Sequence, residues 1–378
     1  MTLSAFVEKL YARAMTLASR WYWIAVLGAL LLASLITGIN IPNGEGGYQL
    51  LSKNPFITRY DLGTTNYYQE DILFPLLAYF THMTSRTGFL ILCFVFIYGS
   101  YVLFAFLARK AFGPLPGLIF SILLITYPLT TMLLAMLGMA DPLSFFLTVP
   151  LLFVTNPILI GVLSFLGVCN HSMMLAAMPE VILLRFIARD EKFKPLHVFA
   201  SIGGAVLGYL AVRAFLLINN IHFFPTRLEF IKQTRLPTWI NIDTFNLPLT
   251  WFSLQNIHWL ALLLCFLVLI KYDRRYLFFF AGVLLVNYAV TLVVYDVTRV
   301  YSLISWCVTF HCIFYCYRLV QKNGKPSEVI EYMKALMVIA VLSFGAPRIY
   351  IWAGHVDPSP FDAFYQRIGV HLNLLIGK

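Results

Sequence analysis

The sequence predicts an all-α polytopic membrane protein with about eleven transmembrane helices. Of its 378 residues, 60% are hydrophobic and 12% are charged, which is about half the charged fraction of a soluble domain. Apolar stretches of about 17–25 residues recur, the length that a helix needs to cross a bilayer. These stretches are continuous rather than alternating, so helices rather than barrel strands would satisfy the backbone.

The eleven predicted spans vary in length, and those between 138 and 172 are the shortest. Asp141-Pro142, Asn156-Pro157 and Asn170-His171 interrupt them, which predicts a re-entrant hairpin or a cavity there, because broken helices need protein or water partners. The spans cover about 21–41, 88–108, 116–137, 140–154, 156–170, 172–188, 196–218, 257–271, 276–295, 299–317 and 333–352.

Basic residues predict the orientation. The formal net charge of +10 comes from clusters that an N-in start places at cytoplasmic helix ends, as expected for a membrane protein. A surface for nucleic acid is therefore not predicted. The clusters lie at 109–110, 185–194, 271–275 and 318–325.

The resulting topology is N-in and C-out within a single membrane domain, 1–378. Residues 1–20 form a cytoplasmic amphipathic segment. The external face receives three polar segments: 42–87, 219–256 and the tail 353–378. All six cysteines lie in apolar spans without a CxxC pair, which predicts core residues rather than disulfides or a zinc site.

The first external loop carries the candidate acids. Glu45 lies in a glycine-rich turn, and Glu70 and Asp71 begin an amphipathic segment, 67–83, that is predicted to lie along the external interface. Each carboxylate could act as a general base toward an attacking hydroxyl. The alternatives are an ordinary loop acid for Glu45 and helix capping for the pair.

Short external turns add further candidates. Asp141 either binds substrate or caps a helix. Arg299 could present a forked donor to a phosphate, or form a local pair with Asp296. His171 could donate to a phosphate or cap its turn.

Other charged residues lie deeper or in the second external loop. Glu180 and Arg213 fall within spans, where a structural ion pair between them is predicted. The basic residues of the second loop favour an anionic ligand such as a lipid phosphate; they are His222, Arg227, Lys232 and Arg235.

These pieces together resemble the GT-C superfamily of integral-membrane glycosyltransferases. The resemblance covers most of residues 1–320 and rests on architecture and loose motifs. The matching segments are NGEGGY, YYQEDILFPLLAYF, GMADPLSFFL, GVCNHSMMLAAMPE and YDVTRVYSLISW.

The resemblance implies sugar transfer from a polyprenyl-phosphate-linked donor to a glycan, lipid or protein acceptor at the non-cytoplasmic face. It implies Glu45 as the base, with Glu70 or Asp71 as alternates, and Arg299 and His171 as partners of the leaving phosphate. A bacterial inner membrane with a periplasmic active face fits this function. The sequence specifies no cofactor and leaves a divalent metal open.

Two other functions remain open at this stage. The first is an O-antigen- or capsule-type polysaccharide polymerase or ligase, which tends to carry its catalytic residues in a large late external loop. The second is a flippase or transporter of lipid-linked glycans, which would need paired charges along a path through the bilayer.

Overall fold

A computed structural model describes residues 3–39, 46–59, 67–189, 193–223, 229, 247–291, 294, 296–352 and 355–358. The fold is all-α, with one short antiparallel hairpin near the end of the described chain. The first half contains α1 Leu3–Arg20, α2 Tyr22–Thr37, α3 Gly46–Lys53, α4 Leu73–Phe80, α5 Arg86–Phe112, α6 Pro114–Thr126, α7 Pro128–Ala135 and α8 Asp141–Thr148. Short 3-10 turns occupy Tyr67–Glu70 and Val149–Leu152.

The second half contains α9 Pro157–Asn170, α10 Met174–Ile187, α11 Pro195–Ile218, α12 Leu247–Gln255, α13 His258–Tyr272, α14 Arg274–Thr291, α15 Val297–Asn323 and α16 Pro326–Gly345. The hairpin pairs β1 Ile349–Trp352 with β2 His355–Pro358.

Three helices of the described chain, α5, α11 and α15, are long and apolar enough to cross a membrane. The number rises to six if each of three bent pairs forms one span: α1 with α2 at 113°, α6 with α7 at 48°, and α12 with α13 at 78°. These helices are compatible with a membrane protein. The count of eleven spans and the N-in, C-out topology stay predictions.

Several predicted boundaries were wrong for identifiable reasons. The span 116–137 breaks at Tyr127, because Pro128 cannot continue the hydrogen-bond ladder of α6. The span 333–352 ends as a helix at Gly345, ahead of Pro347, and its last residues form β1. The interfacial helix predicted over 67–83 is a 3-10 turn followed by the eight-residue α4.

The helix α15 lies at the centre of the bundle. Most of its side chains are buried, and its aromatic residues contact Phe104 of α5. A second close contact joins α9 and α11, where Gly204 lies against the backbone of Gly161. Such small-residue contacts allow helices to pack closely in an apolar medium.

The six cysteines are free and buried, which confirms the prediction that they are core residues. Three of them come together in a way that their spacing did not reveal. The thiols of Cys265, Cys312 and Cys316 all lie within 4.8 Å of one another, between α13 and α15. A structural zinc site normally has four ligands, one more than this group supplies.

Candidate functional site

A buried charged cluster joins residues from three helices that are distant in sequence. It consists of Asp141 at the start of α8, His171 at the end of α9, and Asp296 and Arg299 at the start of α15. Arg299 donates from Nε to Asp141 Oδ2 at 2.6 Å and from Nη1 to Asp296 Oδ2. His171 Nε2 lies 3.7 Å from Asp141 Oδ1. We call these four residues the Arg299 cluster.

Local sequence explains how Asp141 reaches this cluster. Pro142 occupies the first turn of α8, and Ala140 rather than Asp141 is the N-cap residue, without a side-chain cap. The predicted capping alternative for Asp141 is therefore wrong. Its carboxylate accepts a charge-assisted hydrogen bond from Arg299 instead, which is a stronger interaction than a neutral cap.

Asn170 joins the end of α9 to the start of α8. Its Nδ2 donates to the Ala140 carbonyl and to Ser144 Oγ, both at 2.8 Å. His171 follows directly as the C-cap residue of α9, and its Nδ1 accepts a hydrogen bond from the Met173 amide at 3.2 Å. His171 thus caps its turn, which was one of the two alternatives, and its other ring nitrogen faces Asp141; the phosphate alternative stays a prediction.

The Arg299 cluster carries an excess of negative charge. Two carboxylates and one guanidinium give a net charge of −1 with His171 neutral. Burial raises the pKa of Asp296 above its ordinary value, and the neighbouring guanidinium of Arg299 opposes that shift. The local pair that the sequence offered as an alternative, Asp296 with Arg299, is confirmed.

Two buried oxygens of this cluster have no hydrogen-bond partner among the described residues. They are Asp141 Oδ1 and Asp296 Oδ1, and the nearby amide oxygen Asn170 Oδ1 also has no partner among the described residues. Buried acceptors are normally satisfied. A ligand hydroxyl or a transferable proton would complete these oxygens, so the cluster can accept hydrogen bonds from a substrate.

The first loop reaches the same region through Asp71. Tyr48 donates from its hydroxyl to Asp71 Oδ2 at 2.6 Å, and the Ser172 amide donates to Oδ1 at 3.3 Å. Burial, and then the Asp71 carboxylate, raises the pKa of Tyr48 well above its ordinary value. Asp71 therefore links the first loop to the turn that carries His171.

Glu70 lies beside Asp71 but has a different partner. Its Oε1 accepts a hydrogen bond from Arg213 Nη2 of α11 at 3.0 Å. The capping alternative for Glu70 and Asp71 is wrong, since the N-cap of α4 is Ile72 without a side-chain cap. The predicted pair of Glu180 with Arg213 is also wrong, because Arg213 forms its ion pair with Glu70 and none joins it to Glu180 among the described residues.

Four predicted site residues lie outside the described residues: Glu45, Arg227, Lys232 and Arg235. Sequence reasoning missed Tyr48 and Asn170 as members of the site. The position of Tyr48 just after the glycine-rich turn, and of Asn170 directly before His171, could have indicated them.

The geometry limits how Arg299 could serve a phosphate. Its Nε and Nη1 are already engaged by carboxylates, so a phosphate oxygen would meet the remaining Nη2. In the described part of the chain, three potential metal ligands converge only in the cysteine group. The described residues of the Arg299 cluster offer hydrogen bonding and proton transfer.

No protein-family model matches the chain, and neither a curated protein nor a solved structure shows significant similarity to it.

Proposed function

We propose that the chain is a membrane glycosyltransferase that moves a sugar from a polyprenyl-phosphate-linked donor to an acceptor hydroxyl at the non-cytoplasmic face. The observation that carries the proposal is the Arg299 cluster, with its two unsatisfied carboxylate oxygens beside the acids of the first loop. Buried acceptors of this kind suit a sugar or acceptor hydroxyl.

The distance between the two ends of α15 supports this placement. Arg299 lies near its first residue, whereas Arg318 and Lys322 lie in its last turns. At 1.5 Å per residue, Arg299 and Arg318 are about 28 Å apart along the axis, close to the thickness of a bilayer core. The proposed topology, with eleven spans, N-in and C-out, puts the basic end in the cytoplasm and the cluster outside.

In the proposed reaction the acceptor oxygen attacks the anomeric carbon of the donor sugar. The bond from that carbon to the phosphate oxygen breaks, the base takes the acceptor proton, and polyprenyl phosphate leaves with the bonding electrons. His171 and the Nη2 of Arg299 would stabilise the negative charge that develops on the phosphate. The basic residues of the second loop would steer the anionic headgroup.

Two residues are candidates for the general base, and a different observation supports each of them. Glu45 is the candidate from the sequence and its resemblance. Asp141 is favoured by the described geometry, because Arg299 holds one carboxylate oxygen while the other has no hydrogen-bond partner among the described residues. Asp71 is less suited, since both of its oxygens already accept hydrogen bonds.

The test is a transfer assay in vesicles that contain the purified full chain. A panel of polyprenyl-phosphate-linked pentoses and hexoses is supplied with a glycan acceptor, and release of polyprenyl phosphate is measured. We expect release by the wild type and its loss in Asp141→Asn or Glu45→Gln, whichever is the base. Glu331→Gln is the control, because this acid is 70% exposed on α16.

Two results would contradict the proposal. Full activity in both Asp141→Asn and Glu45→Gln would exclude both residues as the general base. Movement of a labelled donor lipid across the vesicle membrane, with no transfer from any donor, would indicate a flippase instead.

A further inference from the structure

A basic cavity of about 510 Å³ opens where the ends of α10 and α15 meet the turn between α13 and α14. It lies at the end of α15 remote from the Arg299 cluster. Five cations and one carboxylate line it, a net charge of +4 with histidine neutral: Arg185, Arg189, Arg275, Arg318, Lys322 and Asp273. We call this space the basic cavity.

The single carboxylate of the lining is satisfied by neutral donors. Asp273 accepts from the Tyr315 hydroxyl at 2.6 Å and from the Tyr276 amide at 3.0 Å. Of the cations, Arg185 is buried and donates to the backbone carbonyls of Leu151 and Val154, so its guanidinium has a structural role. Asp273 therefore does not form an ion pair with any cation of the basic cavity.

Three of the remaining cations stand exposed at the rim. Arg189, Arg275 and Lys322 have no carboxylate within 4 Å in the described part of the chain. A neighbouring lysine behaves differently: Lys271 lies outside the cavity lining and pairs with Glu328 at 3.0 Å. Glu328 thus neutralises a cation that does not line the cavity.

The general preference for basic residues on the cytoplasmic side does not explain the cavity. That preference would place cations at this end without ordering them around a space. Arg274 and Lys325 are exposed cations at the same end and do not line the cavity. The lining also has an apolar wall, which suits a hydrocarbon chain: Leu152, Ile187, Ala188, Phe314 and Leu319.

We propose that the basic cavity binds the phosphate group of an anionic ligand. Arginine forks and a lysine are the side chains that contact phosphate oxygens in proteins, and basic pockets between helices at the cytoplasmic side bind anionic headgroups. A phospholipid headgroup is the source that the apolar wall favours, and a soluble phosphate is the other. The proposal does not depend on the transferase activity.

The test measures binding to the purified full chain in detergent. Phosphatidylglycerol and phosphatidylcholine are titrated by native mass spectrometry, and inorganic phosphate and pyrophosphate by calorimetry. The test variant is Arg275→Gln with Lys322→Gln. The control is Arg274→Gln with Lys325→Gln, which removes the same charge at the same end, and all four side chains are exposed, so all variants should fold.

We expect the wild type and the control to bind phosphatidylglycerol in preference to phosphatidylcholine. The test variant should bind phosphatidylglycerol about 30-fold more weakly, because each cation near an anionic headgroup contributes to affinity. The same dependence for phosphate or pyrophosphate, without lipid binding, would support the site with a soluble ligand. Equal binding by the test and control variants for every probe would overturn the proposal.

Discussion

Replacement of Arg299 by glutamine tests whether the Arg299 cluster is held together by its charges. In the wild type, two carboxylates share one guanidinium, for a net charge of −1. Arg299→Gln leaves Asp141 and Asp296 facing each other without a cation, for a net charge of −2. Removal of one partner of a buried ion pair costs about 3–5 kcal/mol, so we expect a loss of that size in the free energy of unfolding.

Arg213→Gln is the matched control, because it removes an arginine from an ion pair that is more exposed. The Arg213 side chain is 41% exposed and that of Arg299 is 9% exposed. Exposed pairs contribute about 1 kcal/mol or less. The ratio of the two losses therefore measures the effect of burial on the same substitution.

The assay is SDS-induced unfolding in mixed micelles, followed by tryptophan fluorescence. The double variant of Arg299→Gln with Asp141→Asn restores a net charge of −1 and should recover at least about 1 kcal/mol relative to Arg299→Gln alone. Equal losses for Arg299→Gln and Arg213→Gln, or no recovery in the double variant, would refute the electrostatic reasoning.

Three further predictions concern packing, hydrogen bonding and pH. Gly204→Ala should cost about 3 kcal/mol or more, because its Cβ would lie 2.1 Å from a backbone oxygen of α9, whereas Gly203→Ala meets nothing within 4 Å and should be neutral or stabilising in the same unfolding assay. Tyr48→Phe removes a donor to Asp71 and should cost about 1–3 kcal/mol; no loss would show that the bond is dispensable. The raised pKa of Asp296 stabilises the fold below the ordinary aspartate pKa of about 3.9, and this contribution disappears as pH rises through the raised value. Asp296→Asn should abolish this fall in thermal stability as the pH rises above about 4, and an unchanged pH profile would contradict it.

The site was partly predictable because its members lie where helices begin and end. Asp141, His171, Asp296 and Arg299 were each identified from the sequence at a turn between predicted spans, and the structure joins all four. In the predicted topology an even number of membrane spans separates each of these turns from the others, so all of them lie on the same face of the membrane. The sequence therefore predicted that the four residues lie on the same face of the membrane, but not which of them are in contact.

The pairings were not predictable, because they depend on the rotation of each helix about its axis. Glu180 and Arg213 lie at similar predicted depths, yet they face different neighbours, and Arg213 meets Glu70, 143 residues earlier in the chain. Hydropathy also cannot show that a continuous apolar run is broken at Pro128. Tertiary packing decides the pairings, whereas the break follows from the proline itself, which hydropathy does not weigh.

Release of polyprenyl phosphate from a polyprenyl-phosphate-linked sugar, by the purified chain in vesicles with an acceptor glycan, tests the proposed function most directly. We expect release by the wild type and its loss in Asp141→Asn or Glu45→Gln, with Glu331→Gln active. Transfer that persists in both Asp141→Asn and Glu45→Gln, or lipid movement across the membrane without any transfer, would contradict it.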